Sequence, residues 1–350
     1  MRTVTVSTNK KYDVVIGKEI LNNCGEMIIE KIGKANAAII TDDIVDSLYS
    51  KIVEESLLKK GISVCKFVFK NGEESKNLET YCKILEFLAE RKIKRNDFII
   101  ALGGGVVGDI AGYAAATYLR GIKFVQIPTT FLAAIDSSVG GKTAVNLKAG
   151  KNLAGAFHQP SLVICDTDTL STLPKDRFAD GAAEAIKYGV LEGCELFEKI
   201  ANGDYIEEIE EIIAKCVMIK AEIVKNDEFD TGMRQLLNLG HTIGHAIEKC
   251  SNFEITHGHG VGLGLLCIAR ASYKLGLSEK DLSGKIYEAL IKNNLPVECK
   301  FSADELAEAA GMDKKRNADM INFVIPKDIG NCVIKPIEAK DLIKIILAGM

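Results

Sequence analysis

Residues Asp97–Ala116 read DFIIALGGGVVGDIAGYAAA, an apolar run, a glycine cluster and a small-residue run that together form one strand–turn–helix unit. Within it Gly103, Gly105 and Gly108 spell GxGxxG. Glycines at such a turn let the backbone approach a pyrophosphate, and the N–H groups and dipole at the helix start attract it. The same glycines also suit a tight turn that merely packs a helix closely on its sheet, so the turn alone leaves both readings open. The usual acid about 20 residues further on is absent, that region being FVQIPTTFLA, and the turn follows an internal strand. Asp42 and Asp43, directly after AAIIT, supply acids at another strand end, placed to hold a ribose hydroxyl. The prediction is therefore a variant dinucleotide site.

Around this unit the first 170 residues keep one rhythm. Short apolar runs, Ala37–Ile40, Val64–Val68, Phe98–Leu102, Phe124–Ile127 and Leu162–Cys165, alternate with amphipathic stretches such as Ile44–Leu58 and Leu78–Ala89. Strand, helix, strand at this spacing predicts a Rossmann-like, mostly parallel, doubly wound sheet. Thr3–Ser7 and Tyr12–Ile16, joined by a polar Asn-Lys-Lys turn, predict an antiparallel hairpin added at its edge. After Pro174 the period becomes helical, over Phe178–Cys194, Ile206–Val224, Gln235–Cys250, Val261–Lys274 and Leu282–Lys292. Only Ile321–Ile325 and Cys332–Ile334 then read as strands. We expect an α/β domain over residues 1–174 and a mostly α-helical domain over 175–350.

A formal net charge of −4 argues against nucleic acid or an anionic membrane as the main partner. The N-terminal MRTVTVSTNKKYDVVIG has no apolar core behind its charges, so no signal peptide is visible. The longest apolar stretch, Val261–Ala269, is too short to span a bilayer. The 10 cysteines are scattered without a CxxC pair, as expected of reduced thiols in a cytoplasmic protein.

Chemistry gathers in the second half, where four of the 5 histidines fall between residues 241 and 259. LNLGHTIGHAIEKC puts His241 and His245 on one helical face, and HGHG adds His257 and His259 after a short loop. A lone buried histidine is usually a satisfied hydrogen-bonding group, but this density predicts a metal centre. GAAEAIKYG carries Glu184 and Lys187 one turn apart. On a helix surface they would be a solvated pair; among Ala, Gly and Ile they point into a pocket. Two imidazoles and one carboxylate leave an open coordination position for substrate oxygens. Spacing does not say which two histidines bind, and HTIGH lacks the glutamate of the HExxH protease motif.

Two further segments supply cations. DSSVGGKTAVNLKAGKN holds Asp136, Lys142, Lys151 and Asn152, and IKAEIVKNDEFDTGMRQLLNLGH holds Lys220, Arg234 and Asn238 before His241. Lys148 and Lys225 read as solvated surface lysines, whereas Lys142 sits between Gly-Gly and Thr in an apolar loop. Such cations suit a substrate bearing phosphate and carboxylate groups.

In order and nearly end to end, NGEESKN, GGGVVGD, PTT, DSSVGGKTAVN, GKN, TLSTLP, GAAEAIKYG, LNLGHTIGHAIE and MDKK resemble the 3-dehydroquinate synthase family, within the sugar-phosphate cyclases. The resemblance implies an N-terminal NAD-binding domain and a helical C-terminal domain. It implies a carbon–oxygen lyase that closes the first carbocycle of the shikimate pathway to the aromatic amino acids, acting as a cytoplasmic homodimer on 3-deoxy-D-arabino-heptulosonate 7-phosphate. The metal ligands it implies are Glu184, His241 and His257, with zinc as the usual ion and cobalt able to replace it. NAD contacts fall by resemblance on Asp42, Glu73, Lys76, Gly104, Gly105, Asp109, Thr129, Thr130, Lys142, Lys151, Thr169 and Thr172. Asp136, Lys142, Asn152, Lys187, Lys220, Arg234, Asn238 and His245 match the catalytic and substrate set. Arg120 and Lys314 resemble phosphate-side contacts, the arginine one that crosses a dimer interface in this family.

Two positions depart from the family pattern. His259 stands where HGE is common, and Asp230 where a glutamate usually precedes the arginine by four. The second keeps the charge; the first removes a carboxylate near the metal and would alter metal preference or ligand basicity. Three rivals remain, the blandest a nucleotide-binding protein without catalysis, which would leave Glu184, His241 and His257 idle. A cyclase like 2-deoxy-scyllo-inosose synthase takes a substrate with no carboxylate for Lys220 and Arg234 to pair with. A metal-dependent polyol dehydrogenase would accumulate NADH and release no phosphate.

Overall fold

In the computed structural model, which describes residues 1–312 and 320–350, the strand expected over Phe98–Leu102 is buried along its whole length. Lys314 lies outside the described residues. The chain divides into two compact units, Met1–Leu173 with Lys220–Phe229, and Pro174–Ile219 with Asp230–Met350. No sequence signal marked the grouping of Lys220–Phe229 with the first unit.

The first unit contains β1 (Arg2–Ser7), β2 (Lys11–Gly17), β3 (Ala37–Asp42), β4 (Val64–Phe69), β5 (Phe98–Gly103), β6 (Lys123–Pro128), β7 (Lys142–Leu147), β8 (Gly150–Phe157) and β9 (Leu162–Asp166). Its helices are α1 (Cys24–Ile32), the single turn α2 (Asp43–Val45), α3 (Lys51–Lys59), α4 (Leu78–Glu90) and α5 (Gly105–Thr117). The main sheet runs β1-β2-β9-β6-β5-β3-β4, with β1 antiparallel to β2 and the other neighbours parallel. A parallel sheet is covered on both faces, so its strands read as unbroken apolar runs. Ala37, Ile39, Phe98 and Ile100 enter one core with Ile28, Val53 and Leu57 of α1 and α3. Their neighbours Ala38, Ile40, Ile99 and Ala101 enter the other, with Ile84, Leu88, Ile110 and Ala114 of α4 and α5.

The chain moves outward from β3 to β4 in one direction and from β5 to β6 in the other, so the order reverses between β3 and β5. Open α/β sheets bind ligands outside the carboxyl ends of the strands at such a reversal. Asp42 ends β3 and Gly103 ends β5. The loop expected around Lys142 is instead an antiparallel hairpin, β7 with β8, in the register Lys142↔Phe157. It lies against α5, where a Cβ on Gly112 would stand 2.5 Å from Thr143 Cγ2.

The second unit holds α6 (Lys175–Glu192), α7 (Cys194–Ala201), the first turns of α8 (Ile209–Asn226), α9 (His241–Cys250), α10 (His257–Lys274), α11 (Ser283–Lys292), α12 (Ala303–Met312) and α13 (Leu342–Gly349). One hairpin, β10 (Met320–Asp328) with β11 (Asn331–Glu338), completes it. Buried on all sides from Gly260 to Ala269, α10 is the axis on which α6, α9, α11 and α13 pack. Its backbone touches that of α9: a Cβ on Gly264 would lie 2.1 Å from the Gly240 carbonyl oxygen, and one on Gly244 2.8 Å from that of Gly260.

This contact corrects two expectations. The helix predicted over Gln235–Cys250 breaks into a 3-10 stretch, Met233–Asn238, a left-handed Gly240 (φ 80°) and then α9. The helix predicted over Val261–Lys274 starts earlier, at His257, so HGHG is the first turn of α10. Among the described residues no helix is long and apolar enough to cross a membrane.

Candidate metal centre and nucleotide turn

Three helices of the second unit each bring one donor to a single point. Glu184 lies fully buried in α6, while His241 and His257 are the first residues of α9 and α10. His241 Nε2 and His257 Nε2 stand 3.3 and 3.2 Å from the same oxygen, Glu184 Oε1. Donors held ~2.0–2.1 Å from a tetrahedral ion stand ~3.3–3.4 Å apart, so the spacing suits one ion. Both Glu184 oxygens are buried, and neither has a hydrogen-bond partner among the described residues. Lys187 Nζ is 2.5 Å from Oε2, a charge contact without hydrogen-bond alignment. A buried carboxylate with charge contacts but no aligned hydrogen bond is incompletely satisfied, and a divalent ion shared with the two imidazoles would complete it. The residues therefore fit a metal.

Electrostatics agree with this fit. Burial pushes the Glu184 carboxyl up, but the Lys187 charge and the His241 and His257 imidazoles outweigh it and hold the group well below the usual carboxylate range. Burial would lower the His257 imidazole, yet the Glu184 and Glu248 carboxylates raise it to about 10. An arriving ion must therefore displace a proton there. His245, one turn along α9 and exposed, has its ring centroid 5.4 Å from that of His241 and 5.7 Å from that of His257.

α6 also fixes the start of α10. Asp180, one turn before Glu184, accepts through Oδ1 from the His259 backbone N–H at 3.2 Å and from the Thr256 hydroxyl. The same oxygen lies 2.9 Å from His259 Nδ1. Asp180 thus caps α10 from another helix, since Thr256, at the N-cap, makes no side-chain cap of its own. The approach requires glycine at 258, where a Cβ would lie 2.3 Å from Asp180 Cα. His259 belongs to this clasp and not to the Glu184, His241 and His257 donor group.

In the first unit the residues matched to NAD collect mostly at the carboxyl ends of parallel strands. Gly104 and Gly105 turn β5 into α5, and a Cβ on Gly104 would meet Thr130 Cγ2 at 3.0 Å. The Thr129 N–H donates to the Gly103 carbonyl at 3.1 Å, and the Thr129 hydroxyl is buried with no hydrogen-bond partner among the described residues. Thr130 Oγ1 accepts from the Ala133 N–H at 3.1 Å. Beyond β9, Tyr49 donates to the Thr169 carbonyl at 3.1 Å and sits 2.5 Å from the Thr172 hydroxyl. Asp42 Oδ1 is engaged in capping, by the N–H groups of Ile44 and Val45 at 3.1 and 2.9 Å. Burial raises its carboxyl.

A polar knot lies beside them. Buried Lys76 donates to Asp109 Oδ2 at 2.5 Å and Asn152 Oδ1 at 2.6 Å, and Glu73 Oε1 accepts from Asn146 at 2.7 Å. Burial opposes the Lys76 charge, but Asp109 and Glu73 outweigh it and hold the ammonium above its ordinary value. Lys151 is half-buried at the start of β8.

The residues matched to substrate fall in both units. In the first, Lys220 donates to the Asp136 carbonyl at 2.8 Å and to Asp136 Oδ1 at 2.9 Å. Lys142 is exposed at the head of β7. Asn152 is held at a left-handed φ of 56°, its N–H donating to Asn146 Oδ1 at 2.9 Å. Arg120 is exposed at φ 65°, directly after Leu119 at φ 49°. Two successive non-glycine residues in that region are strained backbone. In the second unit Lys187 and Arg234 are buried, and Asn238 and His245 exposed.

The sequence reading did not single out Asp180, Glu248 or Tyr49. For Glu248 a signal existed, since HTIGHAIE places it seven residues after His241 on the same helical face. Asp180 likewise precedes Glu184 by one turn.

Comparison with known proteins follows the same division. The family profile described as 3-dehydroquinate synthase N-terminal matches residues 66–180, and the one described as 3-dehydroquinate synthase C-terminal matches residues 181–316. The 3-dehydroquinate synthase of Clostridium acetobutylicum is 42% identical to this chain, covering 98% of it and 99% of that protein. A solved 2-deoxy-scyllo-inosose synthase, complexed with carbaglucose-6-phosphate, NAD+ and Co2+, superposes with a TM-score of 0.89 at 27% identity, covering 100% of both chains. A 2-epi-5-epi-valiolone synthase from Streptomyces hygroscopicus, with NAD+ and Zn2+ bound, gives 0.88 at 25% identity, covering 100% of this chain and 99% of that one.

Proposed function

The chain belongs to the 3-dehydroquinate synthase family, and from that membership we infer that it converts 3-deoxy-D-arabino-heptulosonate 7-phosphate to 3-dehydroquinate and phosphate. The observation that carries this reading is the match of both halves of the chain to that one family. We assign Glu184, His241 and His257 to one divalent ion, zinc or cobalt, and the residues gathered around Gly104 and Gly105 to NAD. The ions and NAD+ bound by the two solved cyclases support this.

When bound, NAD supplies a reversible hydride acceptor and the divalent ion a Lewis acid for adjacent hydroxyls. Lys187, buried beside Glu184, and exposed His245 relay the proton of the substrate C5 hydroxyl outward, the lysine giving up one proton as it receives another. Once C5 is a ketone the C6 proton is acidic, and phosphate leaves C7 by elimination. Lys142, Asn152 and His245 hold the departing phosphate, whose own oxygen serves as the base. Lys220, steadied by Asp136, and Arg234 pair with the substrate carboxylate. Reduction at C5 restores the cofactor. Ring opening and an intramolecular aldol closure then need confinement more than further catalytic groups.

We further assign the protein to the cytoplasm and to a homodimer in which Arg120 reaches the phosphate held by the second copy. Ten free cysteines support a reducing location. Arg120 lines a cationic groove of about 650 Å³ with Lys10, Lys11, Lys31, Arg95 and Lys123, which supports an anionic counterpart.

The test is phosphate release from the heptulosonate phosphate, with and without NAD and a chelator. Release that needs both NAD and metal, with no net NADH, is the expected outcome. Accumulating NADH without phosphate would replace this reading with a polyol dehydrogenase, and preferred turnover of glucose 6-phosphate with an inosose-type cyclase.

A further inference from the structure

We propose that Glu248 is the positioning residue of His257: it binds no ion but holds the imidazole so that Nε2 faces one. This rests on the metal assignment above. Glu248 is 3% exposed and lies on the face of α9 that also carries His241 and His245. Its Oε1 is 2.9 Å from His257 Nδ1, while Nε2 of the same ring is 3.2 Å from Glu184 Oε1. A carboxylate only accepts, so Nδ1 keeps its proton, and Nε2 is the nitrogen left to give up its own proton and offer a lone pair to an ion. A carboxylate behind a liganding imidazole fixes its tautomer and orientation and raises its basicity.

Two features of the backbone serve the same contact. The Glu248 carbonyl accepts from the Phe253 N–H and the Ser251 hydroxyl, each at 2.8 Å, folding back the link to α10. Asn252 and Phe253 take left-handed φ values of 50° and 65° in that link. Gly260 leaves room for the side chain, since a Cβ there would lie 3.2 Å from Glu248 Cγ. His241 is treated differently, its Nδ1 lying 3.1 Å from the neutral Leu239 carbonyl. Of these two imidazoles, His257 is the one with a charged group behind it among the described residues.

His245, Glu248 and His257 also form a second donor group within 4.8 Å. A second ion there would need His257 Nδ1 to lose its proton, so the two readings exclude each other.

The test compares wild type, Glu248→Gln and Glu248→Ala for cobalt(II) stoichiometry, dissociation constant by chelator competition, and the visible spectrum of the bound cobalt. Circular dichroism checks that each variant is folded. The proposal expects one ion per chain throughout, affinity weakened ~10–100-fold in Glu248→Ala, a smaller loss in Glu248→Gln, and a changed cobalt spectrum. The amide oxygen of Gln still accepts from Nδ1, so that variant tests orientation where Ala disturbs packing. Unchanged affinity and spectrum in folded Glu248→Ala would overturn the proposal. So would two ions in wild type with one lost in Glu248→Gln. Wild type that binds no cobalt would remove the metal assignment itself, a distinct result.

Discussion

At the head of α5 the chain offers a ligand its backbone, whereas at the heads of α9 and α10 it offers side chains. Gly104 and Gly105 leave the start of the helix without a side-chain cap, so its main-chain N–H groups can attract an anion beside the pair that buried Lys76 makes with Asp109. Around Glu184 the protein buries a carboxylate and a lysine, sets two half-buried imidazoles against them, and surrounds them with glycine contacts and two further carboxylates, Asp180 and Glu248. A site made of backbone tolerates imprecision in its neighbours. One made of buried charges does not, because each misplaced group is left unsatisfied.

Substitutions that separate the two kinds of site sharpen this contrast. Glu184→Ala should have the largest effect. Structural zinc held by four ligands is worth ~10–16 kcal/mol, so losing one ligand should weaken binding by ~10²–10³-fold. Turnover should vanish without added metal, checked by metal analysis beside phosphate release. Next, Lys187→Ala and His245→Ala should each lower turnover ~10²–10⁴-fold. Folded variants that keep wild-type turnover would remove those two proton-transfer roles.

Gly258→Ala tests the clasp without touching a donor. Its Cβ would fall 2.3 Å from Asp180 Cα, so α6 and α10 must part. Overpacking of this kind costs ~1–3 kcal/mol, readable by denaturant unfolding, and metal affinity should fall with it. Gly105→Ala should unfold nothing, because its Cβ meets only Ser137 Oγ at 3.2 Å, a side chain free to turn. It should weaken NAD by ~10-fold or less, about 1.4 kcal/mol, and leave metal binding intact. Equal losses in metal affinity from both glycine variants would break the contrast.

The smallest effect belongs to an ordinary ion pair between α1 and β2. The hydrogen bond from Lys31 holds the Asp13 carboxyl below its usual value, against burial. A depressed folded pKa adds stability above the unfolded value near ~3.9, lost as the pH falls through the folded one. Asp13→Asn should therefore cost less than ~1 kcal/mol at neutral pH and flatten the acid limb of the stability curve.

Much of this was legible in the sequence, for physical reasons. The parallel strands are apolar on both faces, so their runs stand out whatever surrounds them. The hairpin β7 and β8 did not stand out, because KTAVNLKAGKNLAGAF mixes apolar, charged and glycine residues without steady alternation and reads as a loop. Gly258 and Gly260 hid the start of α10, because the apolar period begins only at Val261, although both glycines are close-contact positions inside the helix. Histidine density announced a metal centre. Spacing left open which two histidines bind; the resemblance named His241 and His257, and the structure sets both beside Glu184 because Gly240 and Asp180 fix where two helices begin, through contacts distant in sequence.

Anomalous diffraction at the zinc edge, on crystals of the zinc-loaded protein, tests the metal centre most directly. One peak ~2.0–2.2 Å from a Glu184 oxygen and from Nε2 of His241 and His257 is the expected result. A peak among His245, Glu248 and His257 instead, or none near Glu184 in active protein, would contradict it.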